Sequence, residues 1–316
     1  MKKQVLILGD IFLDIFEVTK VLKISPESPI AILKPIKTNA LLGGAANEAN
    51  NIKSIGGFPF IISKFGNGTN LQKIKNLLKK NQIQFKIISS KNYSSIIKKR
   101  IVENHHQFCR IDNESMEILS KVHETEIIKF IKKNINKFES LILSDYSKGF
   151  LTPNLIKKTI DIFKKNKKLI FTDPKNKNIN IYKGSNFICP NLKEYKEFFD
   201  YEKLEMNNQS VSKLFKKSQS DAFIVTKGSD GISVIYKNTK QINIPQKSVN
   251  VYDVTGAGDT FIGFFSYLIS NNIDLINSLK ISSYACIRVV QKKYTATLNF
   301  KEFQEIIDEF CKKEVL

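Results

Sequence analysis

The feature that most constrains this chain is the alternation of short apolar runs with lysine-rich amphipathic stretches. Val5–Leu8, Phe60–Ser63, Leu141–Ser144, Leu169–Thr172, Phe187–Cys189 and Phe223–Thr226 are strand-length runs, of the kind buried on both faces of a parallel sheet. Ala45–Ile55, Leu71–Asn81, Thr125–Phe138, Asn154–Lys165 and Ser210–Ser218 space their apolar residues as helices do. The alternation predicts a three-layer α/β fold, with a mostly parallel central sheet and helices on both faces. Chemistry is then expected in the loops at the carboxyl ends of the strands. Two segments break the rhythm. Residues about 11–37 and 95–111 alternate like strands with no helix between them, and they are expected to form a small β lid standing off the main body. No Pro/Gly/Ser-rich linker, low-complexity tract or internal repeat divides the chain, so residues 1–316 read as one domain with that lid.

Composition narrows the function classes. The net charge of +20 invites a nucleic-acid partner, but the excess is lysine scattered over helix faces. Lys73, Lys75, Lys79 and Lys80, or Lys213, Lys216 and Lys217, are examples. That pattern reads as a solvated surface, with no nucleic-acid partner. Cys109, Cys189, Cys286 and Cys311 lie far apart with no C-x-x-C pair, and His105, His106 and His123 have no partner cluster. A disulfide scaffold or structural zinc is not expected, and a reduced cytoplasm is. No apolar run approaches the roughly 20 residues that span a bilayer. Val5–Leu8 is too short for the core of a signal peptide, so no membrane partner is expected.

The sharpest signal is Asp253-Val254-Thr255-Gly256-Ala257-Gly258-Asp259-Thr260, followed by the helix-compatible run Phe261–Ser270. Glycines two apart allow a tight backbone just before a helix. The N–H groups of Gly256, Ala257 and Gly258 are expected to face an anion, helped by the helix dipole. Asp259 at the helix mouth is placed to take a proton from an attacking hydroxyl. An anion cradle beside a base is what phosphoryl transfer uses. The stretch is neither a Walker A motif nor G-x-G-x-x-G.

A second signal is Leu42-Gly43-Gly44-Ala45-Ala46-Asn47. Paired glycines let a polar ligand approach the backbone, and Asn47 offers a donor and an acceptor to hydroxyls. On its own the stretch reads equally as a close-packed helix N-terminus. A third is the pair Asp10 and Asp14 just after the first strand, suited to binding a polyol; capping is the alternative for Asp10.

The N-terminal Gly-Gly-Ala-Ala-Asn and the C-terminal Asp-Val-Thr-Gly-Ala-Gly-Asp-Thr together resemble the ribokinase-like, or PfkB, carbohydrate kinases, over about residues 4–298. The resemblance implies a ribokinase-like fold and ATP-dependent phosphorylation of a sugar. Asp259 would be the base and Gly256–Gly258 the anion hole. Within that family, Ile24–Ile30, Lys98–Arg100 continuing to Arg110–Asp112, Ser144–Gly149, Thr172–Lys175 and Cys189–Glu194 are similar to the D-glycero-β-D-manno-heptose 7-phosphate kinases. The implied reaction is phosphorylation at C1, for ADP-heptose and lipopolysaccharide synthesis. A substrate already carrying a phosphate needs cations, for which Lys98, Arg100, Lys148 and Lys175 are candidates, with arginine favoured for bidentate contact. In so basic a chain each lysine alone could be surface charge.

Asn191 and Glu194 have the spacing that in the family organises Mg²⁺, Glu194 reaching it through water. Thr226, Gly228 and Gly231, with Thr255, are expected beside ATP; a plain strand-to-strand loop is the alternative reading for the turn 226–231. The resemblance leaves room for a monovalent cation and for a homodimer through the lid. Two departures stand out. Tyr294 occupies the place of a glycine usual in the family near the nucleotide, and His105-His106-Gln107 stands where heptose kinases carry Asn-Gln-Gln. The stretch to Leu316 has no H-x-G-H nucleotidyltransferase signature, which predicts a kinase without that second activity. The readings weighed against this one are another sugar kinase of the family and a non-catalytic basic binding protein on the same fold.

Overall fold

A computed structural model describes residues 4–104, 106–246 and 249–314, so His105 lies outside the described residues. The strands are β1 (Gln4–Gly9), β2 (Ile11–Ile24), β3 (Ala31–Gly44), β4 (Pro59–Gly66), β5 (Gln84–Ser90), β6 (Ile97–Glu103), β7 (His106–Asn113), β8 (Phe138–Ser144), β9 (Leu169–Asp173), β10 (Phe187–Ile188), β11 (Ala222–Thr226), β12 (Ile232–Tyr236) and β13 (Gln241–Ile244). The α-helices are α1 (Ala45–Ser54), α2 (Thr69–Lys80), α3 (Lys121–Asn134), α4 (Pro153–Lys165), α5 (Leu192–Tyr201), α6 (Asn208–Ser218), α7 (Ala257–Ser270), α8 (Leu275–Val290) and α9 (Phe300–Glu314).

The large sheet has the order β13-β12-β11-β10-β9-β8-β1-β4-β5. It is parallel from β11 to β5, with β12 and β13 added antiparallel at one edge. Its central strand explains the arrangement: Leu6, Ile7 and Leu8 of β1 are fully buried, so both faces must be covered. On one face Ile127, Leu155, Tyr195 and Leu214 bring α3 to α6 into one core. On the other Ala45, Ile74, Phe261 and Leu279 bring in α1, α2, α7 and α8. Each of the buried Leu, Ile and Phe side chains among these contributes roughly 1.5–3 kcal/mol, which makes the three layers the stable solution for this pattern.

The strand order reverses about β1, which lies between β8 and β4. Crevices outside the carboxyl ends of strands at such a reversal are where ligands sit in open α/β sheets. Gly9, Ser144 and Asp173 end their strands there.

A second sheet, β3-β2-β6-β7, occupies the two segments that broke the alternation. The parallel β2–β6 register sets Asp14 against Lys98 and Phe16 against Arg100, and β7 adds Asp112 and Arg110 opposite those two cations. Paired residues share a face of a sheet, so these charges lie on one surface. β3 runs on to Gly44 and passes directly into α1.

One helix boundary departs from the apolar spacing. The third helix starts at Lys121, because the Ser120 side chain accepts the His123 amide, and Phe138 already belongs to β8. No helix among the described residues is long and apolar enough to cross a membrane.

Candidate active site

Three segments meet at Asp259: the start of α7, α1, and the loop after β8. Asp259 is in the first turn of α7, and only 7% of it is exposed. Asn47 donates its Nδ2 to Oδ2 at 2.8 Å, and the Tyr146 hydroxyl donates to Oδ1 at 2.5 Å. Asn51 in turn donates to the Asn47 carbonyl at 2.9 Å and accepts from the Thr260 hydroxyl at 3.1 Å, tying α1 to α7. Burial pushes the Asp259 carboxyl above its ordinary value; Tyr146 and Asn47 pull it back, Asp14 adds to the rise, and Lys98 opposes it. A carboxylate so balanced is a stronger proton acceptor than a free one while two donors favour its ionised form.

Gly256 opens the helix at φ 81°, and a β-carbon there would lie 2.6 Å from Asn47 Nδ2. The tight turn alters one expectation. The Ala257 amide does not face outward but donates to the Val254 carbonyl at 3.2 Å. The amides of Gly256 and Gly258 have no protein acceptor among the described residues, and Gly258 borders open space. An anion cradle at this turn would therefore rest on the two glycines.

Asn47 is expected to meet hydroxyls; one of its Nδ2 hydrogens goes instead to Asp259. Tyr146, in a segment singled out for its motif, was not assigned to the base. Nothing in the spacing brings residues 146 and 259 together.

On one side of Asp259 opens a mainly apolar cleft of about 280 Å³. Thr226, Gly228 and Gly231 line it together with Ala257, Gly258 and Val290. The turn from β11 to β12 and the glycine turn thus line one mainly apolar slot. Thr255 lies at the mouth of the turn, its amide donating to Asp253 Oδ1 at 2.9 Å.

On the other side is the charged face of the second sheet. Arg100 Nη1 pairs with Asp14 Oδ1 at 2.7 Å, and both are buried. Lys98 holds its ammonium 4.3 Å from the Phe12 ring centre and has no ion-pair partner among the described residues. Its withdrawal from water lowers its pKa, so it gains from an anionic ligand. Lys148 pairs with Glu114 at 2.6 Å and belongs to this end.

Several assignments need correction here. Gly43 does not itself admit a ligand: a β-carbon there would lie 2.3 Å from Asp14 Oδ2, so the glycine makes room for that carboxylate. Gly44 is the N-cap of α1 at φ 60°. Asp10 does not face a polyol. It is buried, and its two oxygens accept the amides of Lys148 at 3.1 Å and Phe150 at 3.3 Å, holding the loop that carries Tyr146. Burial raises its pKa to about 6.

Lys175 does not join Lys98 and Arg100. It follows β9 on the far side and pairs with Glu194 at 3.0 Å. Asn191 and Glu194 form a capping box at the start of α5, side chain to amide at 2.9 Å in both directions, which alone accounts for their spacing. Glu194 Oε1 and Oε2 each have one protein partner, which leaves lone pairs free for water.

The half-buried Asp173 beside them has its carboxyl held well above the usual range, by loss of water and by Glu194 and Asp259. Excess negative charge of this sort suits a divalent cation. Among the described residues no three His, Cys, Asp or Glu converge to hold a metal directly.

The Tyr294 ring packs on Phe16 of β2 at 4.5 Å between centroids, at the second sheet and not in the apolar cleft.

Comparison with known proteins bears on the family and the fold. Bifunctional protein HldE of Aliarcobacter butzleri is 32% identical over 308 residues, covering 96% of this chain and 64% of its own length. The chain thus spans a little under two thirds of that relative. Ribokinase from Thermotoga maritima superimposes with a TM-score of 0.73 at 18% identity, covering 96% of this chain and 99% of its own. Phosphofructokinase-2 from Escherichia coli in complex with potassium gives 0.74 at 16% identity, over 98% of this chain and 99% of its own. The fold is therefore ribokinase-like. The model of the pfkB family carbohydrate kinases matches residues 2–301, up to the second residue of α9, and the chain belongs to that family.

Proposed function

We propose that the chain transfers the γ-phosphoryl group of ATP to the C1 hydroxyl of D-glycero-β-D-manno-heptose 7-phosphate, giving the 1,7-bisphosphate for ADP-heptose and lipopolysaccharide synthesis in the cytoplasm. The observation that carries this reading is the position of Asp259, between an apolar cleft and a cationic sheet face. The HldE name of relatives matching 96% of the chain supports the choice of sugar.

In this mechanism the base of ATP lies in the cleft by Thr226, Gly228 and Gly231, with Thr255 at its mouth. The acceptor's phosphate meets Lys98, with Lys148 nearby, and its hydroxyls meet the Asp14–Arg100 pair. Asp259 takes the hydroxyl proton as the oxygen–phosphorus bond forms and the bond to the ADP oxygen breaks. Asn47 and Tyr146 hold the carboxylate in line. The amides of Gly256 and Gly258 face the charge spread over the phosphoryl oxygens. Asn191 and Glu194, with Asp173, would hold Mg²⁺ through water; when bound, the ion neutralises charge on the ATP phosphates.

The second sheet acts as a lid over the acceptor. Its outer reaches expose Leu22, Ile24, Ile36 and Ile111, apolar area that supports pairing with a second copy.

A sibling reading, another sugar or sugar phosphate, is favoured by the ribokinase and phosphofructokinase-2 neighbours. One experiment separates the two. ATP consumption is followed against heptose 7-phosphate, fructose 6-phosphate, fructose and ribose, with the product's phosphorylated carbon read by NMR. Heptose 7-phosphate should give the highest kcat/KM and a C1 phosphate. Preference for a neutral sugar would refute the assignment.

A further inference from the structure

Nine described residues other than glycine take a left-handed backbone, and Tyr294, at φ 66°, is the only aromatic among them. The others are Gln, Asn, Ser, Lys and Thr. A bulky residue keeps such a conformation only where its surroundings over-determine it, and such residues gather at working sites. No regular element forces it here, since the segment lies between the end of α8 at Val290 and the start of α9 at Phe300.

What holds the segment is tertiary contact. The Tyr294 ring packs on Phe16 at 4.5 Å between centroids. The Arg100 guanidinium carbon lies 5.1 Å from the centre of that same Phe16 ring. The next residue, buried Thr295, donates its hydroxyl to Asp14 Oδ2 at 3.4 Å, while Arg100 takes Oδ1 at 2.7 Å. The Thr295 methyl also borders the space a Gly256 side chain would fill, at 3.1 Å. Lys292 anchors the stretch through the Thr297 carbonyl at 3.0 Å and Glu302 at 2.6 Å. Two consecutive residues thus touch the carboxylate, the ring beneath the guanidinium, and the anion turn.

We propose that Tyr294 and Thr295 are positioning residues for the acceptor. Tyr294 braces Phe16 under Arg100, and Thr295 steadies the other oxygen of Asp14. Together they hold the ion pair in one orientation at the cost of a strained backbone. The proposal rests on the reading that this face receives the acceptor. Fixing the pair before binding lowers the ordering cost of each encounter, so the effect belongs in acceptor affinity and not in the chemical step.

The test compares Tyr294→Gly, Tyr294→Phe and Thr295→Val with the wild type. Tyr294→Gly relieves the backbone and removes the brace. KM for the preferred sugar phosphate should rise about tenfold, while KM for ATP and kcat stay within about twofold and Tm does not fall. Tyr294→Phe keeps the ring and should restore the wild-type KM; Thr295→Val should raise it less than the glycine variant does. A second readout needs no substrate. The chain has three arginines, Arg100, Arg110 and Arg288, so the Arg100 side-chain Nε–H signal can be assigned by Arg100→Lys. It should be sharp in wild type and Tyr294→Phe and broadened in Tyr294→Gly. An unchanged signal in all three proteins would overturn the brace whatever sugar the enzyme takes. A sharp wild-type signal that broadens as expected, in an enzyme that prefers a neutral sugar, would keep the brace and sink only the choice of acceptor. Equal rises in both KM values, or a fall in Tm with KM unmoved, would reduce Tyr294 to a structural residue.

Discussion

The two ends of the site are built on opposite principles. At the base end both oxygens of Asp259 already have donors, Asn47 and Tyr146, in a buried setting. At the acceptor end Lys98 stands without an ion-pair partner among the described residues, on a sheet face reached from solvent. The first is organised before any ligand arrives, which is where electrostatic catalysis gains most. At the second the Asp14–Arg100 pair is already formed but Lys98 is left unsatisfied, so that part of the binding energy is collected only from the correct ligand. Damage at the base end should therefore appear in kcat, and damage at the acceptor end in KM.

The sharpest break in that contrast would come from Gly256→Ala. The added methyl would sit 2.6 Å from Asn47 Nδ2, in a backbone at φ 81°, and would push Asn47 off the base. Turnover should fall about 10²-fold, the scale of a 1 Å misplacement, with KM for the acceptor little changed. Steady-state kinetics check this, and a variant with wild-type kcat would show that Asn47 does not position the base.

Lys98→Ala comes next. Loss of one charged contact should raise KM for a sugar phosphate by about tenfold to 100-fold, on the basis of ~1.5–3 kcal/mol for such a bond, and leave KM for ATP alone. Arg100→Ala is the less clean probe, because it strands the buried Asp14 and should lower Tm as well.

The smallest effect on turnover is expected at Asp10, which links the two ends by holding the loop of Tyr146 and Lys148. Its carboxyl titrates near 6 in the native protein against an ordinary 3.8, chiefly through burial, with Asp145 adding to the rise and Lys64 and the two loop amides opposing it. The native state thus keeps the proton that the unfolded chain loses first. The resulting stability is fully present below pH ~4 and lost as pH rises through about 6. Relative to Asp10→Asn, the wild type should lose about 3 kcal/mol of unfolding free energy across that window. Urea melts at several pH values measure it, and a difference that stays flat would mean Asp10 is not held as described.

Much of this was legible in the chain itself. The octapeptide ending in Thr260 announces the glycine turn and the helix mouth because both are local: residues adjacent in sequence make them. The buried strands were legible because each is a continuous apolar run. Meetings between distant segments were not. Tyr146 reaches Asp259 only because β8 ends beside β1 at the reversal of strand order, and Lys175 parts from Lys98 because β9 lies on the far side of that reversal. The β2–β6 register that gathers Asp14, Lys98 and Arg100 is likewise set by pairing and not by spacing. One missed feature did carry a signal. Asn191-x-x-Glu194 before Tyr195 is a capping box in plain view and announces α5.

The central claim is that one carboxylate takes the proton of the acceptor hydroxyl. Asp259→Asn tests it, with turnover and ATP affinity measured on the same preparation. The account predicts a loss of about 10²–10⁴ in kcat, ATP binding within about twofold of wild type, and a Tm no lower, since a buried charge has been removed. Near-normal turnover in that variant would contradict it.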